Sequence, residues 1–125
     1  SKYGDEFKEK FGETSESLVP AGRRLMVQGD KLAGQPIMLS EFGGVSLATD
    51  SGWGYNGAEN NEEAFMERFE RLFENVASCD FCGWCYTQLT DVEQETNGLL
   101  NAAHHPKFDM ERIRGIVEKY SKKFY

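Results

Sequence analysis

The sequence predicts an α/β fold made of two strand-then-helix units behind a loop-rich arm. Three observations carry that expectation. A continuous apolar run, Pro36 to Glu41, has the character of a parallel strand buried on both faces. Asn61 to Ala77 is amphipathic at helical spacing. A second aromatic strand, Phe81 to Gln88, is followed by a second amphipathic stretch, Asp109 to Lys122. The units divide the chain into an arm and loop over 1–34, a first strand-helix unit over 35–78 and a second over 79–125.

In the arm, Asp5 to Phe11 reads as a short helix, with Phe7 and Phe11 on one face and Gly12 as its stop. Thr14 to Gly34, punctuated by Pro20, Gly22, Gly29 and Gly34, reads as a long loop. Pro36 suits the first residue of a strand because it has no N–H to donate. Phe42-Gly43-Gly44 breaks that strand and opens an aromatic, glycine-rich loop, Val45 to Asn60. The first helix carries Phe65, Met66, Phe69, Leu72, Phe73 and Val76 on one stripe. Asn60 or Asn61 caps it, and Glu62 and Glu63 sit where the dipole favours acids. A polar loop, Leu89 to Asn101, separates the second strand from the last helix. That helix turns Met110, Ile113, Ile116, Val117 and Tyr120 inward, with Lys119, Lys122 and Lys123 at its C-terminal end. Two such units cannot cover both faces of a sheet, so burial alone predicts an incomplete chain whose exposed strands self-associate.

Composition sets outer limits. The 125 residues are 39% hydrophobic and 13% aromatic, which suits one globular domain. A net charge of −7 argues against a nucleic-acid partner, which demands a basic face. No apolar run reaches the roughly 18 residues that cross a bilayer. Cys79, Cys82 and Cys85 are too few and too crowded for a disulfide framework. As a Cys-x-x-Cys-x-x-Cys string they also lack the paired spacing of a zinc site, with only His104 and His105 to complete it. Small core residues are the simpler reading, and no metal or cofactor is expected. The acidic alternation Asp91, Glu93, Glu95 lacks the glycine turn and ligand order of a calcium loop and reads as solvated or capping.

Glu41 is the residue with chemistry to explain. It ends an apolar strand before two glycines, at the carboxyl end where α/β folds place their sites. Its context, Gly34-Gln35-Pro36-Ile37-Met38-Leu39-Ser40-Glu41-Phe42-Gly43-Gly44, closely resembles the nucleophile strand of family 2 glycoside hydrolases. Gly83-Trp84-Cys85-Tyr86-Thr87-Gln88-Leu89-Thr90-Asp91-Val92-Glu93-Gln94-Glu95 resembles the eighth barrel strand and following loop in a bacterial branch of that family. Gly52-Trp53-Gly54-Tyr55-Asn56-Gly57, Asn97-Gly98-Leu99-Leu100 and Pro106-Lys107 continue the likeness. Asn101 to His105 departs from it, lacking the tyrosine, aspartate and arginine usual before the proline.

The resemblance implies a partial (β/α)8 TIM barrel, its seventh and eighth strands with their helices, from a barrel of ~250 residues. It implies a retaining exo-β-glycosidase, β-galactosidase-like, acting on a β-linked glycoside with Glu41 as nucleophile. The acid/base glutamate belongs to a fourth strand that this chain does not match, so the chain alone is expected to be inactive. Asn61-Glu62 repeats the asparagine-glutamate pair of that strand but opens a helix, and Glu62 reads as a first-turn charge. Tyr86, where relatives carry a tryptophan on the sugar, and Gln88 are candidate substrate contacts. Trp53 is a candidate for the subsite entrance, and Trp84, deeper in the strand, suits packing. The alternative is a non-catalytic α/β carbohydrate-binding or scaffold module.

Overall fold

A computed structural model of the chain describes residues 33–48 and 52–124. The elements run β1 (Met38–Gly43), β2 (Ser46–Leu47), β3 (Ala58–Glu59), α1 (Glu62–Ala77), β4 (Gly83–Thr87) and α2 (Met110–Ser121), closed by a 3-10 turn at Lys122–Phe124. The helix and loop expected in the arm lie outside the described residues, apart from Ala33 and Gly34 at the loop's end.

Two helices and short parallel strands are present, but the expected partial (β/α)8 barrel is not. The described strands form two separate two-stranded parallel sheets, β1 with β4 and β2 with β3. Two strands have two outer edges and cannot close; a barrel needs every strand paired on both sides. The physical consequence contradicts a second expectation, that the apolar strand is buried on both faces. Helices cover one face of the β1–β4 pair, while Met38 is 54% exposed and Ser40 and Glu41 are exposed with it.

Strand β1 also sits two residues later than the apolar run suggests, continuing through Phe42 and Gly43. Phe42 pairs with Tyr86 and Gly43 with Thr87, so the strand ends where its partner ends. Phe42 is buried against Phe73, their ring centroids 5.1 Å apart. The Val45 to Asn60 segment is not wholly loop either. Ser46 pairs with Ala58 and Leu47 with Glu59, and Arg68 of α1 ties the return by bonding Glu59 at 2.7 Å and the Asn56 carbonyl at 2.6 Å.

Helix α1 forms where its periodicity requires. The Asn61 side chain accepts from Ala64 N–H at 2.9 Å, which makes Asn61 the N-cap. Phe65, Met66, Phe69, Phe73 and Val76 are its buried stripe. Phe65 stacks on Phe108 at 3.8 Å, and Phe69 meets Tyr86 edge-on at 5.0 Å. Asp109 caps α2 by accepting from Glu111 and Arg112 N–H groups. The helices lie parallel, side by side, because two ion pairs join them at one constant offset. Arg112–Glu63 at 2.8 Å and Lys119–Glu70 at 2.7 Å each link residues 49 apart in sequence. Lys123, just past α2, donates to the Ala77 and Cys79 carbonyls at 3.2 and 2.8 Å, capping an α1 end that has no basic residue of its own.

Candidate functional site

Glu41 owes its position to an irregularity in β1. Leu39 pairs with Trp84 and Phe42 with Tyr86, so Ser40 and Glu41 together stand opposite Cys85 alone. This two-against-one bulge turns Glu41 to the uncovered face of the sheet, near the carboxyl end of a parallel strand. Bulges of this kind commonly re-aim a side chain beside a site.

The two glycines that follow let a loop close over the strand end. Gly43 has φ +125° and Gly44 φ +72°, conformations that an L side chain rarely adopts. A Cβ on Gly43 would overlap the Thr87 carbonyl, and one on Gly44 would overlap the Tyr55 ring. Gly44 N–H donates to the Thr87 carbonyl at 2.8 Å, and its own carbonyl accepts from Asn56 N–H at 2.8 Å. Tyr55 therefore lies flat against the glycine backbone. Its hydroxyl lies close to the side chains of Glu41 and Thr87. Burial of its inner edge, then the negative charge and hydrogen bond of Glu41, raise the phenol pKa, while the Thr87 bond pulls it down.

A second loop supports the first. Trp53 N–H donates to the Gln94 carbonyl at 2.9 Å, and Thr96 N–H donates back to the Trp53 carbonyl at 2.8 Å. Trp53 is 54% exposed and Tyr55 is 49% exposed, which leaves aromatic surface open to solvent in this loop. Gln88 donates to the Asn97 side chain at 2.7 Å, and fully buried Asn97 donates to Glu95 at 3.1 Å. Beneath them Lys107 binds Asp91 at 2.8 Å and the Thr96 carbonyl at 2.8 Å, and Asp91 accepts from Gly98 N–H. The Leu89 to Asn101 loop is thus an ordered support rather than loose polar chain.

A scan against protein-family models matched none, and a search of curated proteins gave no match.

Of the four candidate residues, Glu41 and Trp53 are exposed to solvent. Gln88 is half-buried and spends its amide on Asn97. Tyr86 points the other way, its ring 5.0 to 6.0 Å from those of Phe42, Phe69 and Phe73. Its hydroxyl is buried without a hydrogen-bond partner among the described residues. Burial, then nearby Tyr55, pushes its pKa well above the usual phenol value. Trp84 packs on Phe124 at 4.5 Å, the packing position that its depth in the strand suggested.

The cysteines correct the core reading. Cys82 and Cys85 are exposed and Cys79 is half-buried, all three as free thiols. Cys85 is exposed because it alternates with Trp84 and Tyr86, which occupy the helix side. Among the described residues no three His, Cys, Asp or Glu side chains gather as metal ligands. In the acidic loop Asp91 is paired with Lys107, Glu95 accepts from Asn97, and Glu93 is exposed. Glu62 accepts from Asp109 N–H at 2.9 Å, a helix-end contact far from Glu41 in the chain.

Tyr55, close to Glu41, is a residue that sequence reading did not single out. Its signal was the pairing of Gly43-Gly44 with an aromatic Gly-Trp-Gly-Tyr loop, since consecutive glycines make room for a ring.

Proposed function

We propose that this chain is part of a retaining exo-β-glycosidase, β-galactosidase-like, with Glu41 as its nucleophile. The observation that carries the reading is the exposed Glu41 carboxylate on the uncovered face of the parallel pair, with half-exposed Tyr55 close to it. Aromatic faces suit the apolar C–H side of a pyranose. The motif resemblance to family 2 glycoside hydrolases points to the same residue.

In the first step a Glu41 carboxylate oxygen bonds the anomeric carbon as the bond to the aglycone oxygen breaks. A carboxylic acid roughly 5 to 5.5 Å away, supplied from outside the described residues, gives that oxygen its proton. Water, deprotonated by the resulting carboxylate, then displaces Glu41 and restores both groups. Without that acid the 125-residue chain turns over no substrate, since the acid/base contribution alone is worth about 10²- to 10⁴-fold.

The test is a longer polypeptide carrying this sequence behind a strand that ends in asparagine-glutamate, assayed on chromogenic β-glycosides. Turnover that vanishes with Glu41→Gln, and a fluorinated glycoside that labels Glu41, support the reading. Full turnover by Glu41→Gln overturns it. The exposed Trp53 favours a second reading, a non-catalytic carbohydrate-binding module, which predicts sugar binding that Trp53→Ala abolishes with no turnover in any context.

A further inference from the structure

We infer that Trp53 and Glu95 form one saccharide subsite: the Trp53 indole takes the C–H face of a pyranose, and the Glu95 oxygen left free by Asn97 accepts a bond from a ring hydroxyl. The inference rests on the ligand being a β-linked sugar, as the reading above holds, and adds to that reading a carboxylate that binds rather than reacts.

The backbone sets the two side chains next to each other. Trp53 N–H donates to the Gln94 carbonyl at 2.9 Å, and the Trp53 carbonyl accepts from Thr96 N–H at 2.8 Å, so Trp53 stands directly opposite Glu95. On the other side Val92 and Glu95 exchange two bonds, at 3.0 and 2.9 Å. Residues directly opposite in a ladder project to the same face, with Cβ atoms about 5 Å apart. Trp53, Glu95 and Val92 therefore form a row with the carboxylate in the middle. Both flanks are open, since Trp53 and Val92 are each 54% exposed. Gly52 permits the close approach of the two loops: at its φ of +104° a Cβ would overlap the Thr96 side chain.

The carboxylate is aimed by amides and not neutralised by a cation. Gln88 donates to Asn97 Oδ1 at 2.7 Å, which commits that oxygen as acceptor and leaves Asn97 Nδ2 to donate to Glu95 Oε1 at 3.1 Å. Asn97 is fully buried, so the relay is held from beneath the surface. Lys107, the cation at this loop, is spent on Asp91 at 2.8 Å. Among the described residues no cation pairs with Glu95, and no donor meets its Oε2. A half-buried carboxylate with one oxygen fixed and the other open is a directional acceptor. Between an aromatic face and an aliphatic one, it matches a pyranose, which offers an apolar C–H face and a rim of hydroxyls. One open ring beside one carboxylate lacks the aromatic cage that captures a quaternary ammonium.

The row lies wholly within the 125 residues, so that chain is the one to test. It has two tryptophans, and Trp84→Phe assigns their indole N–H resonances. Methyl β-galactoside moves the Trp53 resonance saturably and leaves that of Trp84 in place. Trp53→Ala abolishes the binding, followed by saturation transfer to the sugar, and Glu95→Gln weakens it about ten-fold. In a series of monodeoxy methyl β-galactosides, loss of one particular hydroxyl costs the wild type that same factor and costs Glu95→Gln nothing, a coupling that a merely structural Glu95 does not give. Wild-type affinity in either variant, a series without the coupling, or a Trp53 resonance moved by tetramethylammonium and not by the sugar overturns the inference. So does a wild-type chain that binds no sugar. In each case the glycosidase reading stands if the longer polypeptide still loses turnover with Glu41→Gln. Sugar held by this row in a longer polypeptide whose turnover ignores Glu41→Gln keeps the subsite and removes the nucleophile.

Discussion

Tyr86→Phe removes one oxygen from the core and nothing else. The ring keeps its neighbours, with centroids 5.5 Å from Phe42, 5.0 Å from Phe69 and 6.0 Å from Phe73. The hydroxyl it loses is buried and has no partner among the described residues, whereas water solvates it in the unfolded chain. An unpaired buried polar group costs ~1 to 3 kcal/mol, so Tyr86→Phe stabilises the fold by about 1 kcal/mol at neutral pH. Alkali gives an independent reading. Burial, then Tyr55, raises the folded pKa above the 10.0 of a free phenol. Above about pH 10 the unfolded chain releases this proton while the folded chain keeps it. The folded state then binds more protons, and stability falls as pH rises, by up to ~1.4 kcal/mol per pH unit, with no contribution below pH 10. Tyr55 shifts the same way, so Tyr55→Phe alone and combined with Tyr86→Phe apportions the slope. Urea titrations near pH 7 and near pH 11, followed by tryptophan fluorescence and circular dichroism, read both effects as shifts in midpoint at constant slope. A Tyr86→Phe chain that loses stability at neutral pH would show that the hydroxyl has a partner, and one that keeps the wild-type alkaline slope would show that the hydroxyl is not sealed from water. The sugar contact first expected of Tyr86 would then return to consideration.

Three further outcomes follow from the same contacts. Lys107→Met strands the Asp91 carboxylate, whose side chain is 11% exposed against 16% for Lys107, and costs about 2 kcal/mol, less than the ~3 to 5 of a fully buried pair; a double-mutant cycle with Asp91→Asn measures the coupling by urea midpoint. The glycines at 44 and 115 diverge: Gly44→Ala costs at least ~1 kcal/mol from its φ of +72° and displaces Tyr55. Gly115→Ala, mid-helix with nothing within 4 Å of the added methyl, gains ~0.5 to 1 kcal/mol, and thermal melts rank the two. The exposed sheet face and the strand edges left unpaired among the described residues predict dimers or larger species of the 125-residue chain, and a clean monomer by light scattering at micromolar concentration counts against this.

The helices were legible because their signals are local. The stripe from Phe65 to Val76 and the caps Asn61 and Asp109 are written within a few residues, and both helices begin within one residue of the expected start. Long-range placement was less legible. A run such as Ile37-Met38-Leu39 looks like a doubly buried strand whether or not a second layer exists to bury it. Only the tertiary structure shows Met38 in solvent. The β2–β3 pair was invisible because two-residue strands have no periodicity to detect. The Gly52 to Gly57 loop gave composition but no direction, so Trp53 was singled out and Tyr55, which reaches Glu41, was not. Cys82 and Cys85 read as core on residue type alone; Cys85 lies on the sheet's uncovered side, Cys82 precedes the strand, and both are exposed.

The orientation of Glu41 was nonetheless implicit in β1, in a conflict of parity. On a strand that alternates strictly, Leu39 and Glu41 share one face while Ser40 and Phe42 share the other. Such a strand would aim a carboxylate at the aromatic core on α1 and put Phe42 in water. Burying the carboxylate there without a partner is expensive, and exposing Phe42 forfeits its packing on Phe73. One extra residue resolves both costs. With Ser40 and Glu41 together opposite Cys85, Leu39 and Phe42 both turn toward the helices and Glu41 turns away. The bulge is therefore selected by the apolar residues on either side of it, whatever Glu41 does chemically. The carboxylate is presented to solvent by the packing of its neighbours, and Gly43-Gly44 then bring Tyr55 to the place where it emerges.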